Sequence, residues 1–189
     1  MNEIRPALLM LTLFTVLCGG LYPAAVTGLA KLFFPHQAAG SLITDTTGAV
    51  VGSALIGQPF SDPQYLWPRP SATGDFPYNP LASGGGNAGP TNLAYLEQVN
   101  ERAQHLRAAG VQGAIPAELV QASASGLDPH ISPRSAAIQV RRIAERRGIS
   151  EERVRQVIAA HTDPPQFGFL GMERVNVLSV NLELDTITP

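Results

Sequence analysis

The chain is poor in the residues from which reaction chemistry is built. It holds one cysteine, Cys18, so no intramolecular disulfide can form and no thiolate metal cage can be assembled. One lysine, Lys31, stands among thirteen basic residues, an imbalance that reads as coding bias rather than chemistry. The net charge of −2 offers no general attraction to nucleic acid. Four histidines (His36, His105, His130 and His161) are scattered, and no pair has metal-ligand spacing. No residue set points to a resident metal or to a cofactor of the chain's own.

What the chain does have is one long apolar run. No residue between Arg5 and Lys31 is charged. As a helix this run reaches roughly 37 Å, enough to cross a hydrocarbon core of about 30 Å. The chain therefore reads as a tail and transmembrane anchor over 1–34, followed by one soluble domain over 35–189. A cleaved secretory signal is the competing reading, with Gly28-Leu29-Ala30 as its small-residue site. Apolar character resumes at Leu32-Phe33-Phe34, which favours a retained helix. A lipid-anchor signal would need a small residue before Cys18, and Leu17 is not one. Gly19, Gly20, Ala24 and Gly28 gather around Pro23 in the second half of the run. Small residues there let a second membrane helix approach closely. Charge leaves orientation near a tie, Arg5 and the terminal amine against Lys31, and the short tail favours the domain outside the cytoplasm.

The soluble part opens as a hairpin, with Leu42–Thr44 and Val50–Ile56 flanking Asp45-Thr46-Thr47-Gly48. From Phe60 to Pro90, six prolines stand beside Phe60, Tyr65, Trp67, Phe76 and Tyr78. Prolines remove backbone donors and exclude a central strand or a persistent helix, while the aromatics can bury enough area to pin the loop. Helices are predicted from Thr91 or Asn92 to Gly110, from Pro116 to Val120, from Ser132-Pro133 to Gly148, and from Ser150 to His161. At the end, Leu178, Val180, Leu182 and Leu184 alternate with polar residues, which predicts a half-buried strand over Val175–Asp185 joining the early hairpin. The expected class is α+β, with a small antiparallel sheet and about four helices.

Three constellations bear on chemistry. Ala144 to Val154, with Gly148 in the turn and arginines at 141, 142, 146, 147, 153 and 155, has helix-turn-helix spacing. Glu151 and Glu152 would open its recognition helix and repel phosphates, so a helical hairpin with a solvated arginine face is the plainer reading. Ser83-Gly84-Gly85-Gly86-Asn87 could offer backbone N–H groups to a phosphate but lacks the lysine and spacing of a nucleotide loop. Asp128-Pro129-His130, near Ser123, Ser125 and Ser132, invites a hydrolase reading. No nucleophile-elbow pattern accompanies those serines, and a loop ordered by side-chain hydrogen bonds is the default.

A series of blocks then carries a resemblance. Gly52-Ser-Ala-Leu-Ile-Gly-Gln58, Arg69-Pro-Ser-Ala72, Tyr78-Asn79, Ser83-Gly-Gly85, the run Leu119 to Ser132 with its Ala-Ser-Gly-Leu-Asp core, and Val175-Asn-Val-Leu178 follow one another behind the anchor. The series resembles the C subunit of the bacterial Kdp-type potassium-transporting P-type ATPase over nearly the whole chain. One departure is Gly86, where the family pattern has Ser.

The resemblance implies a single-pass accessory subunit of the inner membrane with its domain outside the cytoplasm. Its implied partners are the P-type ATPase catalytic subunit and a channel-like potassium-binding subunit, which handle ATP, Mg and potassium. It implies stabilisation of the complex and a catalytic-chaperone role that raises ATP affinity, described through a ternary complex with ATP. The expected partner contacts are Tyr65, Trp67, Arg69, Tyr78, Asn79, Ser83, Gly84 and Gly85 in the Pro-rich loop, with Gly19, Gly20, Ala24 and Gly28 packing in the membrane. Competing expectations are a membrane-tethered helix-turn-helix regulator and a stand-alone envelope hydrolase using His130.

Overall fold

The computed structural model describes residues 3–45 and 47–187 and divides into two compact units, Met1–Val51 and Gly52–Pro189. The first is dominated by a helix of 30 residues, Ile4–Phe33, long and apolar enough to span a bilayer. It comprises α1 (Ile4–Val16), a π-helical turn (Leu17–Leu21) and α2 (Tyr22–Phe33). Pro23 explains the π turn. Proline has no N–H to donate, and its ring crowds the carbonyl four residues back, at Gly19. Widening one turn relieves that clash without ending the helix. A short helix α3 (Pro35–Ala38) follows, then β1 (Leu42–Thr44) and β2 (Val50–Ser53), paired as a two-stranded ribbon. Asp45 Oδ1 accepts from the backbone of Thr47 at 2.8 Å and of Ala49 at 3.0 Å, and Gly48 takes φ 86°, so the connection is an aspartate-ordered turn. Thr46, part of the expected turn, lies outside the described residues.

In the second unit, Phe60 to Pro90 is irregular apart from a 3₁₀ turn at Pro80–Ala82. The helix α4 (Leu93–Ala108) is capped by Asn92, whose side chain accepts from Tyr95 N at 3.2 Å. Pro116 opens only a 3₁₀ turn, Ala117–Leu119. The helix expected from Ser132 to Gly148 is broken into α5 (Pro133–Ala137) and α6 (Val140–Arg147). Ser132 caps the first, and Gly148, left-handed at φ 67°, ends the second. After α7 (Glu151–Ala160), a three-stranded antiparallel sheet is completed in the order β3 (His130–Ile131), β5 (Arg174–Asn176), β4 (Thr162–Asp163). Ile131 and Thr162 both stand opposite Val175.

The predicted C-terminal strand is corrected in both extent and pairing. Strand β5 stops at Asn176 and pairs with β3 and β4, not with the hairpin, and the chain then turns into α8 (Val177–Thr186). Asn176 caps that helix through Ser179 N at 3.0 Å. Burial falls on Val177, Leu178, Val180, Asn181 and Leu184, and the spacing of three, four and seven from Val177 is helical. The alternation of leucines with polar residues was incidental, since Asn181, placed outward by the strand reading, is fully buried. The core is built from Leu66, Ile131, Ile143, Val154, Val175 and Leu184, none more than 2% exposed.

Candidate functional site

The blocks that carry the resemblance are far apart in sequence and meet at one node in space. Arg69 Nη1 donates to Asp128 Oδ2 at 2.8 Å, tying the Pro-rich loop to the Ala-Ser-Gly-Leu-Asp block. Ser71 Oγ donates to Gly126 O at 2.7 Å and accepts from Tyr78 N at 2.9 Å. Thr73 Oγ1 accepts from Asn79 N at 3.1 Å, and the Tyr78 hydroxyl donates to Arg69 O. Ser83 Oγ and Gly84 N both donate to Ser125 O, at 3.1 and 3.0 Å. The glycine cluster is thus a strip laid against 123–126, and its backbone N–H groups are not turned toward an external anion at Gly84.

Two glycines are required by this convergence. A Cβ at Gly57 would lie 2.5 Å from the Tyr78 ring and 2.9 Å from Asp128 O, while Gly57 N donates to Leu127 O at 2.9 Å. Gly126, at φ 69°, would push a Cβ to 2.6 Å from Thr73. The last block joins on the same side: Asn176 Nδ2 donates to Ala54 O at 3.0 Å, and Val177 N to Pro129 O at 3.1 Å.

Asp128 is the electrostatic centre of the node. Burial pushes its carboxyl up, but interaction with His130 and then with Arg69 outweighs burial and holds it below its ordinary value. His130 Nδ1 lies 3.6 Å from Asp128 Oδ1, which also accepts from His130 N at 3.0 Å. Ser132 Oγ donates to Glu118 and caps α5. Burial likewise opposes the charge on Glu118, but hydrogen bonds from Ser132 and Ser135 outweigh burial and hold its pKa below the ordinary value. The serine and histidine of the hydrolase reading are therefore engaged with different carboxylates. Among the described residues no three His, Cys, Asp or Glu side chains are grouped to hold a metal ion.

The residues predicted for partner contact divide by exposure. Trp67, Tyr78 and Asn79 are 6, 6 and 4% exposed, so their rings and amide are spent within the chain. Trp67 Nε1 donates to Asp62 O at 2.9 Å, and its ring carries the Arg142 guanidinium at 3.8 Å and stacks on His105 at 4.8 Å. Half-buried Tyr65 donates to Asp185 at 3.1 Å. Half-buried Arg69 and Gly85, and exposed Ser83 and Gly84, edge the surface. A cleft of about 440 Å³ opens beside Arg69, with Phe60, Tyr78, Glu101 and His105 in its wall. Gly19, Gly20, Ala24 and Gly28 are exposed on the long helix, where a Cβ on any of the three glycines would meet nothing within 4 Å.

Sequence reasoning missed the two amides that hold the loop. Asn181 Oδ1 accepts from Leu66 N at 2.8 Å and its Nδ2 donates to Leu66 O at 3.0 Å. Gln139 Oε1 accepts from Trp67 N at 2.9 Å and its Nε2 donates to Trp67 O at 3.1 Å. Between prolines no strand can form, so two buried side chains replace the missing β partner. Arg142, 5% exposed, completes the set by donating to Gln139 Oε1 at 2.6 Å and Tyr65 O at 3.0 Å, and burial, reinforced by Arg146, pushes its pKa down to about 10. The arginine face of the helical hairpin is accordingly much reduced. Arg142 and Arg147 turn inward, the latter onto Gln64 O, Leu184 O and Asp185, while Arg141 and Arg155 pair with Glu145 and Glu151.

Comparison with known proteins covers nearly the whole chain. Residues 4–186 match the family model described as KdpC, the c chain of the K+-transporting ATPase. The chain is 62% identical over 189 residues to a potassium-transporting ATPase KdpC subunit of Geobacter sulfurreducens, covering 100% of both chains. It is 55% identical to the subunit of that name from Polaromonas naphthalenivorans, covering 100% of this chain and 96% of the relative. For that of Sorangium cellulosum the identity is 54%, with 97% of each covered. With the long apolar helix, the node and the C-terminal helix all inside the matched span, the chain belongs to the KdpC family of K+-transporting ATPase subunits.

Proposed function

We propose that the chain is the single-pass accessory subunit of an ATP-driven potassium uptake pump of the inner membrane, with residues 35–189 outside the cytoplasm. It assembles with a P-type ATPase catalytic subunit and a channel-like potassium-binding subunit, stabilises them, and raises the affinity of the catalytic subunit for ATP. The observation that carries the reading is the match over 4–186, which includes both the membrane helix and every block of the node. The node supports a scaffold role, because its ionisable groups are committed to one another in holding loops together. ATP, Mg and potassium are on this reading handled by the partners. A domain outside the cytoplasm cannot touch cytoplasmic ATP, so the effect on ATP affinity is transmitted as coupling through the membrane helices.

Two measurements test this. Alkaline phosphatase fused after Pro189 should be active and a cytoplasmic fluorescent reporter at that position dark; the opposite pattern makes direct help with nucleotide binding the better reading. Pump assembled without the chain should need a higher ATP concentration for half-maximal hydrolysis, and an unchanged value would remove the chaperone role.

A further inference from the structure

The connection between β4 and β5 ends in a tip of bare hydrocarbon. Phe167, Phe169 and Met172 are 80, 76 and 78% exposed, and Leu170 is 48% exposed. A contiguous apolar cluster of this kind on one short turn marks an interaction site. The turn is pinned. Gln166 and Leu170 exchange two backbone hydrogen bonds of 2.9 Å, and Gly168 N donates to Pro165 O at 2.9 Å. Phe167 sits at φ 55°, a left-handed conformation costly for an aromatic residue, while Gly168 and Gly171 take φ 82° and 85°. Asp163 and Arg174 close the neck at 3.3 Å. None of the three most exposed side chains belongs to the buried core, so the conformation presents them outward without serving the fold.

We infer that this tip is a docking plug: Phe167, Phe169 and Met172 enter an apolar pocket on another protein chain of the same pump, with a lysine or arginine at the pocket rim facing Glu173. The inference rests on the accessory-subunit reading above. Two observations favour a protein pocket over lipid. A pinned backbone fixes the directions in which the three side chains leave it, which lowers the ordering cost of entering a shaped cavity and gains nothing in fluid acyl chains. The charge beside the rings is also acidic. Glu173 makes no ion pair among the described residues, and its neighbour Arg174 is taken by Asp163, so the tip lacks the cations that draw a segment to an anionic bilayer surface.

The test uses the full chain in the assembled, membrane-embedded complex. Phe169→p-benzoylphenylalanine should, on irradiation, give a covalent adduct with another chain of the pump, and adding Glu173→Lys should cut its yield. Adducts to lipid only, or none in a complex that co-purifies intact, overturn the plug while leaving the accessory reading standing. If the unaltered chain co-purifies with no pump chain, the accessory reading itself falls. A second arm, Phe167→Ala with Phe169→Ala, should reduce retention in the washed complex about 10-fold or more, as expected of aromatic anchors. The unfolding temperature of the chain alone should not fall, and undiminished retention would overturn the plug.

Discussion

Asn181→Leu tests the claim that the loop before the node is held by borrowed amides. The replacement puts an apolar side chain of similar size in place of the amide in α8, at a position that is 0% exposed. It removes both bonds to Leu66, at 2.8 and 3.0 Å, and leaves a buried N–H and a buried C=O with no partner. Each such orphan costs about 1–3 kcal/mol, so the gross loss is about 2–6 kcal/mol. The apolar area gained by leucine offsets about 1–2 kcal/mol of that, leaving roughly 1–4 kcal/mol. For a domain of this size that loss lowers the unfolding temperature by roughly 2–16 °C. The assay is thermal unfolding of the full chain in detergent, followed by near-ultraviolet circular dichroism at Trp67, next to the orphaned peptide. A loss under about 1 kcal/mol would refute the reasoning, since it would mean that water or backbone shifts satisfy Leu66 as well as Asn181 does.

Gly57→Ala should destabilise by about 1–3 kcal/mol in the same assay, because its Cβ meets the Tyr78 ring on one side and the Asp128 carbonyl on the other; an unchanged midpoint would show that the node yields freely. Asp128 and Glu118 have folded-state pKa values below their unfolded ones, so the stability they supply is complete above the unfolded values and is lost as pH falls through the folded ones. Asp128→Asn should therefore flatten the acid limb of stability below about pH 4, and an unaltered limb in a pH series would remove Asp128 as its source. Gly20→Leu with Gly28→Leu should weaken pump assembly in detergent without preventing membrane insertion, and full recovery of the complex would count against a packing face on the helix.

The sequence showed most clearly the elements whose local signals agree. The uncharged run between Arg5 and Lys31 became one long helix, and the caps at Asn92, Ser132 and Ser150 opened helices where predicted. The C-terminal reading failed because Leu178, Val180, Leu182 and Leu184 satisfy a period of two while Val177 and Asn181 are needed to see the period of 3.6. An asparagine in that run reads as a surface residue unless its partner is known, and its partner, Leu66, lies 115 positions away. A separation of 72 positions hid Gln139 from Trp67 in the same way. The Pro-rich loop was legible as ordered, yet its aromatic rings were expected at a partner surface, and Trp67 and Tyr78 proved to be interior. What the sequence could not show was the convergence of the blocks, because each glycine contact depends on a backbone brought close by distant chain.

Purification of the full chain from native membranes in mild detergent, through a tag after Pro189, tests the central claim most directly. The accessory-subunit account predicts that a P-type ATPase chain and a channel-like potassium-binding chain elute with it in fixed proportion, carrying potassium-stimulated ATP hydrolysis. A folded chain eluting alone, with the pump intact in the flow-through, would contradict it.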